Sequence, residues 1–183
     1  MSAEGNQPDT QEQELWDRIR TTEGAERAEV LDELSHFAYK KNNYTECLQL
    51  IDTSIEIYFS LDGDFHTKKL IHLYEGKAFC HSNLDQNELA AEAFDTLAGY
   101  FCIDEDREGF LRAKRAAGRE YYSAKNYQKS LECHTIASQE LDPDATLYTM
   151  GIDTMNIGTA LQKLDRHQEA IERFIKALSL IHI

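Results

Sequence analysis

The chain has 183 residues, of which 42% are hydrophobic and 28% charged, and its formal net charge is -14. This length suffices for one compact domain or a short repeat array, and the acidic excess disfavours non-specific binding to nucleic acid or anionic membrane. No apolar run reaches the roughly 18 residues that a membrane-spanning helix needs, so we expect no membrane span.

The first segment, residues 1–13, is polar and acidic and lacks the apolar stretch of a signal peptide. We expect it to be a disordered lead-in, followed by a single structured domain over residues 14–183. Leu15, Trp16 and Ile19 then form a short apolar stripe at helical spacing, which predicts a small capping helix.

The rest of the chain shows helical rather than strand patterning. There are only two prolines, Pro8 and Pro143, and neither interrupts an apolar pattern. Sustained alternation of apolar and polar residues is absent, and Asp62-Gly63 lies between helical patterns rather than between β-branched segments. The sequence therefore predicts an all-α protein.

Four cysteines, Cys47, Cys80, Cys102 and Cys133, are spread along the chain without a CxxC pair. Single cysteines in a helical chain usually behave as small buried hydrophobes. Because no secretory signal precedes them, we expect a reducing, cytoplasmic location.

A repeat is clearest near the C-terminus, in the segment NIGTALQKLDRHQEAIERFIKALSL from Asn156 to Leu180. Small residues at Gly158 and Ala170 would let two helices approach closely, and Phe174 would fill the gap between helix pairs. This pattern resembles the tetratricopeptide repeat (TPR). Upstream, AAGREYYSAKNYQKSLECHTIA follows it with two departures, since Ser130 replaces the small apolar residue and His134 the aromatic one.

Equivalent small positions upstream are assigned to Ser35, Gly76 and Gly118, which with Gly158 give spacings of 41, 42 and 40 residues. These exceed the roughly 34 residues of the commonest form and resemble the long-period repeats of kinesin light chains and bacterial regulators. On this alignment, the turn of the second repeat is expected to be two residues longer than the others.

The resemblance implies a right-handed α-solenoid of about four antiparallel helix pairs. The predicted repeats cover residues 24–60, 65–101, 105–141 and 144–181.

Motifs for catalysis or metal binding are absent from the sequence. It contains no GxSxG, no phosphate-binding GxxxxGK[ST] and no HExxH. In Cys80-His81 and Cys133-His134 the neighbouring side chains would point about 100° apart on a helix, so neither dipeptide makes a chelating face. We therefore predict neither an enzyme nor a metal or cofactor site.

The resemblance further implies that the first helices of the pairs line a concave groove. In the third repeat this assigns Arg112, Arg115, Arg119 and Tyr122, whose 3, 4, 3 spacing places them on one helical stripe. One interpretation is a slot in which arginines grip an acidic, extended segment. The other is that these arginines pair with acidic residues on nearby loops, such as Asp104 to Asp106 or Asp153. Glu108 could also pair with Arg112 at i, i+4.

The other repeats contribute further groove positions. In the second repeat, Leu70, Leu73, Lys77 and Cys80 are assigned to the groove. The first repeat adds His36 to the groove, and the fourth adds Met155 and Asn156. Long-period family members often carry an asparagine at the position of Asn156, where it bonds a peptide backbone. Asp32 and His36 stand where chaperone-binding members carry Lys and Asn, so recognition of a chaperone tail is not expected.

An apolar stripe remains on the last predicted helix. It consists of Ile171, Ile175, Leu178 and Ile181. Stacked repeats need a polar outer face at their ends, so we expect this stripe to be a homodimer or partner surface, unless the chain is a fragment of a longer protein.

The leading hypothesis is a non-enzymatic adaptor that binds an acidic or extended peptide of a protein partner in its groove. Two alternatives stay open. One is a regulatory sensor domain that responds to a peptide or small effector, and the other is an oligomerisation subunit that uses the C-terminal stripe.

Overall fold

The computed structural model describes residues 10–61, 66–139 and 146–181, and of residue 181 it describes the backbone only. Within these ranges the chain forms nine helices and no strand, which confirms the all-α class. The helices are α1 (Thr10–Arg18), α2 (Gly24–Lys40), α3 (Tyr44–Ser60), α4 (Thr67–Asn83), α5 (Asn87–Ile103), α6 (Arg107–Ser123), α7 (Tyr127–Gln139), α8 (Leu147–Lys163) and α9 (His167–Ile181).

Five of the turns that join these helices share one geometry. Each is three residues long, and its middle residue has a positive φ between 55° and 63°. Such a left-handed residue ends a helix and lets the next one begin at once. These middle residues are Asn42, Asp85, Glu105, Lys125 and Asp165.

The side chain just before a helix accepts a hydrogen bond from the first turn of that helix in several cases. Asp106 accepts a hydrogen bond from the backbone N–H of Gly109 at 2.8 Å, and Thr146 accepts one from that of Thr149 at 3.2 Å. Each satisfies a backbone donor that the first turn of a helix leaves without an intrahelical partner.

The chain divides into two compact units, residues 1–80 and 81–183, and the division falls within α4. In the first unit α1 packs on α2 through the buried Leu15. An ion pair between Glu12 of α1 and Lys41, just after α2, stabilises this contact. Helices α2 and α3 form a tight pair, in which the buried Ser54 hydroxyl donates a hydrogen bond to the Ala28 carbonyl at 2.9 Å.

The second unit is built by consecutive packing of α5 on α6, α6 on α7, α7 on α8 and α8 on α9. Asp95 on α5 joins α6 twice, because it accepts from the Tyr121 hydroxyl at 2.9 Å and from Lys114 Nζ at 2.8 Å. Leu131, Ile157 and Leu161 lie in an apolar cluster among α7, α8 and α9. Hydrophobic burial of this kind is the main favourable contribution to folding.

Close approach within the last two helix pairs depends on glycine. A Cβ atom added at Gly118 would lie 2.7 Å from Nε2 of His134, and one at Gly158 would lie 2.7 Å from the Phe174 ring. The two pairs therefore have the same construction, in which a ring from the second helix sits against a glycine of the first. His134 takes the place that Phe174 has in the next repeat.

The helix bounds correct the register that we assigned to the second repeat. Ser35, Gly118 and Gly158 are each the twelfth residue of a 17-residue helix, and the twelfth residue of α4 is Ala78, which is fully buried. The equivalent small residue is thus Ala78 and not Gly76. The turn of this repeat is also no longer than the others, so that prediction was wrong as well.

This shift of two residues changes which α4 side chains are equivalent to the arginines of α6. Leu70, Leu73 and Cys80, which we assigned to the groove, are core residues no more than 4% exposed. The positions that match Arg112, Arg115 and Arg119 are those of His72, Glu75 and Phe79, respectively.

Helices α2 and α3 run from residue 24 to 60, α6 and α7 from 107 to 139, and α8 and α9 from 147 to 181. Helix α1 begins at Thr10, inside the segment expected to be a disordered lead-in, whose residues 1–9 lie outside the described ranges. None of the helices in the described part of the chain has both the length and the apolar character needed to cross a membrane.

Two glycine-to-alanine substitutions should have opposite effects on stability. In Gly118→Ala the added methyl collides with the buried His134 ring, so we expect the free energy of unfolding to fall by about 1–3 kcal/mol. In the matched control Gly99→Ala no atom lies within 4 Å of the new Cβ. The higher helix propensity of alanine should therefore raise the free energy of unfolding by about 0.5–1 kcal/mol. Urea unfolding measures both, and equal effects would contradict the close-packing interpretation.

Candidate functional site

The predicted arginine stripe on α6 lies on one face of the helix, but its three guanidinium groups have different surroundings. Arg112 is exposed, and its guanidinium carbon lies 5.9 Å from the centre of the Phe101 ring. Arg115 is partly buried in an ion pair. Arg119 is exposed and makes no hydrogen bond or ion pair through its side chain with the described residues.

The ion pair of Arg115 joins α6 to α8. Its Nε lies 2.9 and 3.0 Å from the two Asp153 carboxylate oxygens, and its Nη2 lies 2.8 Å from one of them. Asp153 is 0% exposed, and this bidentate contact provides the partner that a buried carboxylate needs. For Arg115 the structure therefore shows the internal pairing that we considered as the alternative to peptide binding.

Arg119 instead lines a cleft of about 230 Å³ among α6, α7 and α8. Tyr122 and Asn156, both assigned to the groove from the sequence, line the same cleft. The remaining lining residues are Ser123, Ser130, His134 and Thr159. The cleft thus offers one cation together with amide, hydroxyl and imidazole groups.

Two buried polar atoms at this cleft have no hydrogen-bond partner among the described residues. They are the Ser130 hydroxyl oxygen and Nδ1 of His134, on side chains that are 1% and 2% exposed. Such groups cost free energy when they are buried without a partner. Both stand at the positions where the sequence departs from the repeat pattern.

The charge state of His134 follows from its surroundings. Burial lowers the pKa of its imidazole to about 4; nearby Arg119 and Arg115 act in the same direction, while Asp153 opposes them. The ring is therefore neutral at pH 7 and can both donate and accept a hydrogen bond.

Two predicted groove residues of this unit, Tyr122 of the cleft lining and Met155, have different surroundings. The Tyr122 ring lies 5.3 Å from that of Tyr127, which holds it against the start of α7. Met155 is 44% exposed on α8 and lies four residues, about one helical turn, before Thr159 of the cleft lining. Together they place apolar surface beside the polar cleft.

In the first unit, His36 lies on a second cavity, of about 330 Å³, between α2, α3 and α4. The acidic and imidazole groups that line it are Asp32, His36, His72 and Glu75. Burial raises the pKa of Asp32, although His72 and His36 counteract this effect. Lys77 does not line this cavity, because its ammonium group lies 2.6 Å from Asp52 on α3.

The sequence reasoning missed His72 and Glu75 because the second repeat was aligned two residues out of register. The signal that could have identified them is the constant length of the first helix in each pair. If each first helix has 17 residues, the groove positions of α4 follow from those of α6.

The predicted stripe on α9 consists of exposed aliphatic residues. Ile171, Ile175 and Leu178 are 51%, 63% and 57% exposed, whereas Ala170 and Ala177 on the same helix are buried. The side chain of Ile181, the fourth predicted member, lies outside the described residues.

The described residues include four cysteines, which differ in their exposure. All four are free thiols, and only Cys102 is exposed. Burial, together with nearby Asp95, raises the pKa of Cys133 to about 12, so this thiol stays protonated and weakly nucleophilic at neutral pH.

No family model and no curated protein matches this chain. Solved structures do. A protein of Podosopora anserina with kinesin light chain TPR-like repeats is 16% identical, with a TM-score of 0.71 over 92% of this chain and 82% of its own. MamA from Desulfovibrio magneticus RS-1 is 17% identical, with a TM-score of 0.62 over 93% and 84%.

A third similar structure is a signal transduction ATPase with a tetratricopeptide repeat sensor, from Pyrococcus horikoshii. It is 14% identical with a TM-score of 0.67, and the match covers 91% of this chain and 25% of that one. At such identities the likeness establishes the fold alone. The resemblance inferred from the repeat pattern is thereby confirmed: the chain has the tetratricopeptide-type helical-repeat fold.

Proposed function

We propose that this protein is a non-enzymatic interaction scaffold, which binds an extended, acidic segment of a partner protein in the cleft between α6 and α8. The observation that carries the proposal is the combination of Arg119 with the two buried, unpartnered polar groups of Ser130 and His134. All three residues line one cleft, so a peptide bound there would lie beside these polar groups.

The chemistry of the cleft favours a peptide that carries a carboxylate. Arg119 offers a charged donor, which forms stronger hydrogen bonds to carboxylate than neutral donors do. Asn156 and neutral His134 can pair with backbone amides, which offer one donor and one acceptor per residue. The exposed Met155 adds an apolar contact beside them.

The fold supports an interaction role, since similar structures include a kinesin light chain-type protein and a tetratricopeptide repeat sensor. These likenesses name no partner for this chain. Free thiols in the described residues are consistent with the cytoplasmic location that we propose.

A second candidate function is self-association through α9, and the exposed stripe favours it. Ile171, Ile175 and Leu178 follow one another at i, i+4 and i+7 and are each more than half exposed. Contiguous apolar patches of this kind mark interaction surfaces more often than simple exposure. A second copy of the chain could bury the stripe in a symmetric contact.

Reversal of the cleft charge tests the peptide-binding proposal. Nonapeptides are selected by phage display on the immobilised chain, and their affinity is then measured by fluorescence anisotropy. We expect acidic residues to be enriched and Arg119→Glu to weaken binding about 10- to 100-fold, because a charge-assisted hydrogen bond contributes about 1.5–3 kcal/mol.

The matched control is Lys68→Glu, which makes the same charge change at an exposed position on α4. It should bind like the wild type. Selected peptides without acidic enrichment, or equal affinities of the two variants, would contradict the proposal.

Replacement of His134 by phenylalanine separates its packing role from its polar role. Phe174 fills the equivalent place against Gly158, so His134→Phe should keep the free energy of unfolding at pH 7.5 or raise it. Peptide affinity should nevertheless fall several-fold, since the imidazole nitrogens are lost. Unchanged affinity would remove His134 from the binding site.

The same variant should change the response to acid. The pKa of His134 is about 4 in the folded protein and near 6.5 when unfolded, so protonation favours the unfolded state, and stability is lost as the pH falls below about 6.5. His134→Phe should avoid about 2 kcal/mol of the loss that the wild type suffers between pH 7.5 and 5. Urea unfolding at the two pH values measures this difference.

Sedimentation equilibrium tests the second candidate function. We expect the wild type to sediment as a dimer and Ile175→Asp as a monomer, because a carboxylate buried in an apolar contact is strongly unfavourable. Phe59→Asp is the control, since Phe59 is 61% exposed on α3 and belongs to the other unit of the chain. A wild-type monomer, or a dimer that persists in Ile175→Asp, would leave the stripe without a role in self-association.

A further inference from the structure

We propose that Asp32, His36 and His72 form a binding site for a divalent transition-metal ion, Zn²⁺ or one with similar ligand preferences. Two of the ligands, Asp32 and His36, lie four residues apart on α2, and the third comes from α4. The site belongs to the first unit of the chain and is separate from the proposed peptide cleft.

The distances between the three side chains suit a single ion. Nε2 of His36 lies 3.2 Å from Nε2 of His72, and the latter nitrogen lies 3.7 Å from Oδ2 of Asp32. All three residues offer a ligand atom within 4.8 Å of the others. In a tetrahedral zinc site, bonds of about 2.0–2.1 Å place the ligand atoms roughly 3.3 Å apart, so small side-chain rotations would bring these atoms around one centre.

A hydrogen bond on α2 prepares His36 for this role. Its Nδ1 lies 2.8 Å from the backbone carbonyl oxygen of Asp32. A carbonyl oxygen only accepts, so Nδ1 carries the proton, and in the neutral ring Nε2 keeps its lone pair on the side of His72. Metal-binding histidines commonly have their second nitrogen held in this way.

The charges around the cluster also favour a cation. Asp32 contributes a carboxylate whose side chain is only 19% exposed, and the nearby Lys69 ammonium is engaged by Glu29 at 3.1 Å. The two imidazoles are about half exposed, so an ion can enter from solvent.

The adjoining cavity leaves room for further ligands. Glu75, three residues after His72 on α4, lines the same cavity of about 330 Å³. Three protein ligands and an open position are typical of zinc sites that bind an additional group, whereas closed four-ligand sites are structural. We therefore expect the fourth position to be taken by water, by Glu75 or by a group from a bound partner.

The alternative interpretation is that His36 and His72 only form a hydrogen-bonded pair of imidazole rings and bind no metal ion. Their planes are nearly parallel, at 13°, with ring centres 5.1 Å apart. Direct measurement of metal binding separates the two interpretations.

The test is isothermal titration of the full chain with Zn²⁺, followed by visible spectroscopy of the Co²⁺-loaded protein. We expect one ion per chain with a micromolar or tighter dissociation constant, and d–d absorption of Co²⁺ bound by nitrogen and oxygen. His72→Gln should weaken binding by at least about 10-fold, since even the loss of a residue that only hydrogen-bonds to a metal ligand costs about 10- to 100-fold. Asp32→Asn should do the same.

The matched control is His167→Gln, an exposed histidine in the other unit. It should bind Zn²⁺ like the wild type. The proposal is overturned if the wild type binds no stoichiometric ion, or if His72→Gln, shown to be folded by circular dichroism, binds as tightly as the control. Neither result depends on whether the peptide cleft is functional.

Discussion

The ion pair between Arg115 and Asp153 is the constraint on which the proposed cleft depends. The Asp153 side chain is 0% exposed, and a carboxylate buried so completely needs a close, correctly oriented cation as its partner. The double contact with the guanidinium group meets this need and sets the separation of α6 from α8 where the cleft lies. Because Arg115 is used internally, Arg119 is the stripe arginine that lines the cleft.

The second feature of the site arises where one helix pair departs from the next. Against Gly158 the ring is that of Phe174, which is apolar and leaves no polar atom to satisfy, whereas against Gly118 it is that of His134. The imidazole keeps the close approach of the helices, but it leaves Nδ1 buried without a partner in the described structure. At this position Phe174 only packs against its glycine, whereas His134 can also form hydrogen bonds. Its burial lowers the stability of the protein at low pH.

The sequence predicted the helix pairs well, because small residues, aromatic residues and turns recur with a helical period. It failed at the register of the second repeat, where Gly76 and Ala78 are both small enough for a close helix contact. Residue type alone did not distinguish them. The buried Leu73, which we had assigned to the groove, shows that α4 is turned by two residues relative to that assignment.

What the sequence by itself determined is local: the helices, their turns, and the common face of the three arginines on α6. The tertiary structure decided the rest. Asp153 lies 38 residues from Arg115, and His72 lies 36 residues from His36, so helical periodicity cannot say that they meet. Such pairings depend on how the helices pack, and this packing separates the buried Arg115 from the exposed Arg119.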